Sequence, residues 1–387
     1  MFVKDVAILG GGMTRFGKLD DGLLQLLVKA SMKAFEDSKT SDSEFDHVYV
    51  GNMASGEFNG KSGIANELVS DLALEPSFAS RIENTSGSGG AALYTGWLSV
   101  ASGLSNLTLV VGGEKMTHKT TDETTEIVSS LIHDVENAQG ATLLSFAGLL
   151  ARYYMDRYDA SRESLAKVAV KNHHNASLNP NAHFQKEITL ETVLQSPMIA
   201  DPLRLYDFCP ISDGAAAVVL APADDANKYV EDPVRIIGIG GATDTHVIHE
   251  RRDITSLRAV EIASRKAYQM AKKSPSEIDV AELHDMSTIL EIVISEALGF
   301  FEKGCGWKSA ECGETSIEGK LPINTSGGLK AKGHPIGASG VSQLIELINQ
   351  INGNCGRRQV SAEVGLACNL GGFENNAVVT LVEGILN

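Results

Sequence analysis

The chain has 387 residues, 43% of them hydrophobic, with 49 acidic against 33 basic side chains and a formal charge of −16. That length suits roughly two to three domains with real cores, and the acidic balance, with no Lys/Arg cluster to relieve it, argues against nucleic acid or an anionic membrane as partner. The start, Met1-Phe2-Val3-Lys4-Asp5, has no basic run before a long apolar one, and no apolar stretch reaches the ~18 residues of a membrane span, so a cytoplasmic protein is expected. The final Gly384-Ile385-Leu386-Asn387 is not a peroxisomal address. Cys209, Cys305, Cys312, Cys355 and Cys368 are odd in number and not spaced as zinc pairs, so neither a disulfide framework nor a metal site is expected.

Taken in order, the chain repeats itself. Val3 to Thr14 reads as a buried strand ending in a glycine turn, and Val234 to Thr243 echoes it. An apolar-periodic helix follows at about Leu23 to Asp37, then a capping-type turn and strand from Ser41 to Met53. The second half copies this with a helix near Leu257 to Ala271 and the segment Ser274 to Met286. Ser86-Gly87-Ser88-Gly89-Gly90 opens a helix to about Ser102, followed by the strand Leu107 to Gly113, and Gly337 to Ile351 is the matching second-half helix. Asp213 to Leu220 answers Asn375 to Val382. Alternating strands and helices predict α/β layers with mostly parallel sheets. Met116 to Leu203 has no counterpart; its helical periodicity and little strand character mark an insertion capping a site between the halves.

The chemistry concentrates in short polar or glycine-rich loops at the ends of apolar runs. Ser86 opens a helix, where free N–H groups and the dipole favour a nucleophile or an oxyanion; a plain cap with close glycine packing fits equally. His334, in Lys332-Gly333-His334-Pro335, sits in a constrained turn as a general base or as a structural histidine. Cys368, before Gly371-Gly372, could be reactive or a small core residue. His284, at a strand end before Asp285, could donate to a substrate oxygen or cap a turn.

Glu83-x-x-Ser86-x-Ser88-Gly89, Ile199-Ala200-Asp201-Pro202-Leu203, Ser212-Asp213-Gly214-Ala215-Ala216, Asn324-x-Ser326-Gly327-Gly328, Gly333-His334-Pro335-Ile336-Gly337-Ala338-Ser339-Gly340 and Cys368-Asn369-Leu370-Gly371 together resemble the thiolase superfamily along essentially the whole chain. Glu282-Leu283-His284-Asp285 is similar to the sterol-carrier-protein-2-type and archaeal acetoacetyl-CoA thiolases. The resemblance implies two similar βαβαβαββ halves packed in five αβαβα layers, with residues 1–115 and 204–230 forming the first half, 116–203 the insertion and 231–387 the second half.

It also implies a Claisen condensation of two acetyl-CoA molecules or the reverse thiolysis, with the coenzyme A thioester as substrate and no cofactor or metal. His334 maps to the histidine that accepts the nucleophile's proton, and Cys368 to the acid/base at the α-carbon. His284 and His334 would line one oxyanion hole, and the backbone N–H groups of Ser86 and Leu370 the other. Met286, Ser326 and Gly327 are further candidate substrate contacts. The pantetheine arm would enter between the insertion and the second half. Homodimers or dimers of dimers, joined through the first half's sheet edge, are implied, as is a complex with hydroxymethylglutaryl-CoA synthase through a small OB-fold protein.

One residue departs from the pattern. Position 86 is Ser where the family has its nucleophilic Cys, and a hydroxyl cannot ionise as a thiol with pKa ~8.5 can. Crippled acyl transfer is therefore expected, either through a deliberate Cys-to-Ser exchange or in a natural paralogue with altered chemistry. A catalytically inactive acyl-CoA-binding or scaffold subunit is the alternative. A serine hydrolase fails because residue 84 is Asn rather than Gly. A ketoacyl synthase would lack the Cys368 loop, and Gly10-Gly11-Gly12 lacks the dinucleotide spacing.

Overall fold

The structure, a computed structural model, describes residues 4–41 and 43–385. Val3, Asp42 and Leu386-Asn387, which belong to the first repeat unit, the capping-type turn and the terminal segment, lie outside the described residues, as do Met1 and Phe2.

The first half runs β1 (Val6–Met13), α1 (Leu23–Asp37), β2 (His47–Gly51), α2 (Ser55–Asn59), α3 (Ile64–Asp71), β3 (Phe78–Ile82), α4 (Ser88–Ala101) and β4 (Thr108–Glu114). The insertion follows with α5 (Thr121–Ser129), α6 (Asp134–Asn137), α7 (Leu143–Tyr158), α8 (Arg162–Ser177), α9 (Leu190–Gln195), β5 (Met198–Ala200) and β6 (Leu203–Arg204). The first half then closes with β7 (Gly214–Pro222) and α10 (Ala223–Ala226). The second half comprises β8 (Val234–Thr243), α11 (Arg258–Ala271), β9 (Val280–Leu283), α12 (Thr288–Ala297), α13 (Gly306–Cys312), α14 (Ser339–Ile351), β10 (Val364–Gly371) and β11 (Asn376–Gly384). Helix α1 shows why these segments fold as they do: Leu23, Leu26, Leu27, Ala30 and Ala34 recur every three to four residues and are all buried on one face.

The strands join in the order β3-β2-β4-β7-β1-β8-β11-β10-β9. The sheet is mixed, not mostly parallel as expected: among the described residues, only β2 with β3, β2 with β4, and β9 with β10 run parallel. Parallel neighbours need a helical crossover, and β10 passes to β11 through a tight turn, which dictates an antiparallel pair. The halves meet edge to edge where β1 runs antiparallel to β8, with Val6 opposite Ile236. In the second half one expected strand is reduced to a single bridge between Ala281 and Ile323.

Helix α1 lies on β1 and β7, and α11 on β8 and β11, each on an outer face, while α4 and α14 touch each other and strands of both halves. The result is the αβαβα layering, with three main apolar clusters filling the spaces between layers. Layers this close need glycine at their contacts: a Cβ on Gly112 would stand 2.0 Å from Gly337 O, and one on Gly340 2.5 Å from Gly90 N. The insertion is mainly helical, with the short β5–β6 ribbon at its end. Its helix α8 is pinned to the second half, Asn175 Nδ2 donating to Asn324 O (3.0 Å), and just beyond it Asn179 Nδ2 donates to Ser326 O (2.9 Å).

Candidate functional site

His334 follows a π-helical turn, Gly328–Lys332, and precedes the first turn of α14. Gly333 adopts φ 112°, a conformation that favours glycine and swings the imidazole into the interior, where His334 is only 8% exposed. Its Nδ1 lies 2.7 Å from Ser339 Oγ. Burial, with Lys332 nearby, lowers its pKa to about 3, so the ring is neutral at ordinary pH. His284 stands directly after β9, its ring centroid 5.0 Å from that of His334 and nearly perpendicular to it. Asn369 Nδ2 and the Leu370 N–H both donate to His284 Nδ1, at 3.0 and 3.3 Å. Burial and the neighbouring imidazole hold this ring neutral as well. Neither ring has a protein hydrogen-bond partner at Nε2 among the described residues.

Ser86 arrives from the other half, two residues before α4. Its loop is braced against the end of β10: the Gly372 N–H donates to Thr85 Oγ1 (2.6 Å), and Gly90 N–H donates to Asn369 Oδ1 (2.9 Å). Thr85 is held at φ 50°, a strained conformation for a β-branched residue that its hydrogen bonds to Glu83 and Gly372 enforce. Ser86 is 6% exposed, and its Oγ makes no hydrogen bond to another described residue. The starts of α4 and α14, the end of β9 and the end of β10 therefore meet, the two imidazoles facing each other and Asn369 bridging His284 to the start of the helix that follows Ser86.

Other predicted residues take different positions. Cys368 is fully buried in β10, opposite Val379, in the apolar cluster that includes Leu366 and Leu370. Side chains alternate along a strand, so Cys368 faces away from Asn369, which reaches His284. Burial raises its thiol pKa, Tyr268 of α11 is the titratable group that senses it, and Sγ makes no hydrogen bond to His284, His334 or Ser86. This is the setting of a core cysteine. The Leu370 N–H, assigned by resemblance to an oxyanion hole, is aimed at His284. Ser326 is engaged by Glu282, through N–H at 3.0 Å and Oγ at 2.5 Å. Gly327 packs on α8, where a Cβ would stand 2.6 Å from the Ala176 Cβ. Met286 is buried in the apolar cluster beside the pair, and its carbonyl accepts from Cys209 N–H (2.9 Å).

Several contributors escaped the sequence reading. Asn369 and Ser339 lie inside quoted motifs, but nothing in their spacing says that they face imidazoles. Glu282, Asp285, Glu291, Lys330, Lys332, Glu346 and Arg358 form a buried polar layer behind the π-helical turn. Asp285 accepts from Asn172 Nδ2 (2.7 Å) and Leu329 N–H (2.6 Å), and Glu346 pairs with Arg358 at 3.0 Å. Lys330 is held by His173 (3.5 Å) rather than by a carboxylate hydrogen bond, and burial lowers its pKa to about 8. A run of Gly-Leu-Lys-Ala-Lys ahead of a buried histidine was the signal available, since lysines seldom enter a core unpaired.

Two α/β halves, each sending one glycine-started helix into a shared central layer, define the αβαβα class. Residues 6–224 match the model of the thiolase N-terminal domain and residues 240–384 that of the thiolase C-terminal domain-like family, so the chain belongs to the thiolase family. It is 43% identical over 379 residues to an acetyl-CoA acetyltransferase of Methanothermobacter thermautotrophicus, covering 97% of this chain and 99% of that one. It is 32% identical to sterol carrier protein 2 of Bos taurus, covering 97% of this chain and 72% of the relative. Among solved structures, an Ltp2-ChsH2(DUF35) aldolase shares the fold with TM-score 0.84 and 24% identity, covering 98% of each chain.

Proposed function

We propose that the chain is an acyl-CoA C-acyltransferase acting on acetyl-CoA and acetoacetyl-CoA, its first step slowed by Ser86. The observation that carries the reading is the pair of neutral imidazoles with open Nε2 atoms set against the helix start that bears Ser86. In thiolysis the residue at 86 attacks the ketone carbon as His334 Nε2 takes its proton. The C2–C3 bond then breaks toward the thioester enolate, whose oxygen His284 stabilises, and protonation at C2 releases acetyl-CoA. The acyl group left on residue 86 passes to the incoming thiol. The name and the identity of the archaeal relative support the same substrate class. The core setting of Cys368 makes it a poor proton donor to C2 in this conformation. We further propose a homodimer through β3, which ends the sheet and exposes 59% of Phe78.

Ser86 itself favours a second reading: a carbon–carbon lyase of the aldol type, which forms no acyl-enzyme. There His334 Nε2 takes the proton of a 3-hydroxyl, the C2–C3 bond breaks to a carbonyl product and a thioester enolate, and C2 is then protonated. The neighbour of similar fold that is titled an aldolase makes this worth assaying.

The test is acetoacetyl-CoA thiolysis by the native chain and by Ser86→Cys, with 3-hydroxyacyl-CoA cleavage assayed beside it. A gain of about 10³-fold or more with cysteine is expected, because a thiolate becomes available at neutral pH. Cleavage of the hydroxyacyl substrate by the native chain, with no gain in thiolysis, would replace the first reading by the second. Acyl-CoA binding with no turnover in either protein would leave a binding subunit.

A further inference from the structure

The backbone alone settles part of the protonation of the site. A main-chain N–H can only donate, and the Leu370 N–H points at His284 Nδ1 (3.3 Å), so that nitrogen carries a lone pair. The Asn369 amide agrees independently. Its Oδ1 accepts from Gly90 N–H (2.9 Å), which fixes the orientation of the amide and leaves Nδ2 as the donor to His284 Nδ1 (3.0 Å). A neutral ring bare at Nδ1 carries its proton at Nε2.

His334 is bound in the opposite sense. Ser339 Oγ has a carbonyl acceptor one turn back along the chain, Pro335 O (3.2 Å), and a hydroxyl that gives its single proton there meets His334 Nδ1 (2.7 Å) as an acceptor. A neutral ring protonated at Nδ1 is bare at Nε2. Both side chains that impose these states are buried, Asn369 at 3% exposure and Ser339 at 0%, so water does not compete for them.

We propose that Asn369 and Ser339 are positioning residues that lock the two facing imidazoles in opposite neutral tautomers, His284 as an Nε2–H donor and His334 as an Nε2 acceptor. The roles of oxyanion donor and proton acceptor are then divided before substrate arrives, and Gly90 links the division to the start of the Ser86 helix. The benefit to catalysis rests on the function proposed above; the tautomers themselves do not.

The test is long-range nitrogen–proton correlation NMR at pH 7 on protein labelled with ¹⁵N-histidine, the two rings being assigned through His284→Gln and His334→Gln. The native chain should show one ring protonated at Nε2 and the other at Nδ1. Two rings of the same tautomer, or either ring doubly protonated at pH 7, overturn the proposal without any other variant. Asn369→Asp keeps an acceptor for Gly90 and should move the His284 proton toward Nδ1. Ser339→Ala should mix the His334 tautomers, and Ser339→Thr should restore them; unchanged spectra in Asn369→Asp and Ser339→Ala also overturn it. In the Ser86→Cys background Asn369→Asp should lower kcat by about 10²-fold with KM changed less than about threefold. If Ser86→Cys is inert while the native spectrum shows opposite tautomers, the functional reading fails and this inference stands.

Discussion

The two halves carry the same scaffold and opposite contents at their matching strand ends. In the repeat, Gly51 at the end of β2 corresponds to His284 directly after β9, and Asn52 to Asp285. On the first-half side Gly51 lets the start of α4 lie against the strand, where a Cβ would stand 2.8 Å from Ser88 O. Asn52 is spent on a clamp: its Nδ2 donates to Glu114 Oε1 (2.7 Å) and Gly113 O (2.9 Å), while Glu114 also accepts from Met53, Ala54 and Gly337 N–H groups. On the second-half side an imidazole fills the place of the glycine, and Asp285 holds the turn that leads to His334. Repetition built the frame, and the titratable chemistry occupies the half that departs from it.

The largest effect should come from removing the imidazole that faces the departure. In the Ser86→Cys protein, His334→Gln should cut the thiolysis rate by about 10²–10⁴-fold, the usual weight of a positioned general base. The first-half counterpart of His284 gives the contrast: Gly51→Ala should leave the chemistry in place and destabilise the fold by about 1–3 kcal/mol through the clash with Ser88 O. If Gly51→Ala instead abolished activity at unchanged stability, the division between frame and chemistry would be wrong.

Between these lies the buried ion pair of the second half. Glu346 accepts from Arg358 at 3.0 Å and from Thr325 and Gln350, all away from water. Glu346→Ala leaves the Arg358 cation buried without its partner and should cost about 3–5 kcal/mol, read as a lower urea midpoint. Replacing Glu346 and Arg358 together by Leu and Met should recover much of that loss. Phe78→Asp, on the exposed strand β3, should change unfolding of the single chain little and should shift a dimer to monomer in light scattering.

Much of the frame was legible because repeated strand, helix and glycine turns show themselves as periods in the chain: α1 spans the expected Leu23–Asp37, and α14 ends at the expected Ile351. Strand direction was less legible, since the pairing of β1 with β8 depends on contacts between the halves that no local pattern encodes. In the site, glycine flanks marked Ser86 and His334 as special. They could not say that Cys368 and Asn369, one residue apart, face opposite sides of β10, because that depends on how far the strand persists. Ser339 reads as an ordinary helix-start serine until Gly333 turns His334 back onto it.

A further predicted effect uses the contrast between buried carboxyls and buried imidazoles in their response to acid. Burial raises Glu114 from the usual carboxylate value to about 7, whereas it lowers His334 to about 3 and His173 to about 4. The folded chain thus binds the Glu114 proton more tightly than the unfolded chain does. Glu114 contributes stability that is fully present below its unfolded pKa and is lost as pH rises through about 7. The histidines do the reverse: they stay neutral in the fold while the unfolded chain takes up protons below about 6.5, so their contribution is lost as pH falls toward about 4 and about 3. Between pH 7 and 5 the buried carboxyl and the buried imidazoles therefore pull stability in opposite directions. Glu114→Gln keeps the shape of the clamp and removes its titration, so its stability relative to the native chain should worsen by on the order of 2 kcal/mol from pH 7 to pH 5. A constant difference between the two proteins across that range would mean that Glu114 is ionised in the fold, and that its four donors outweigh its burial.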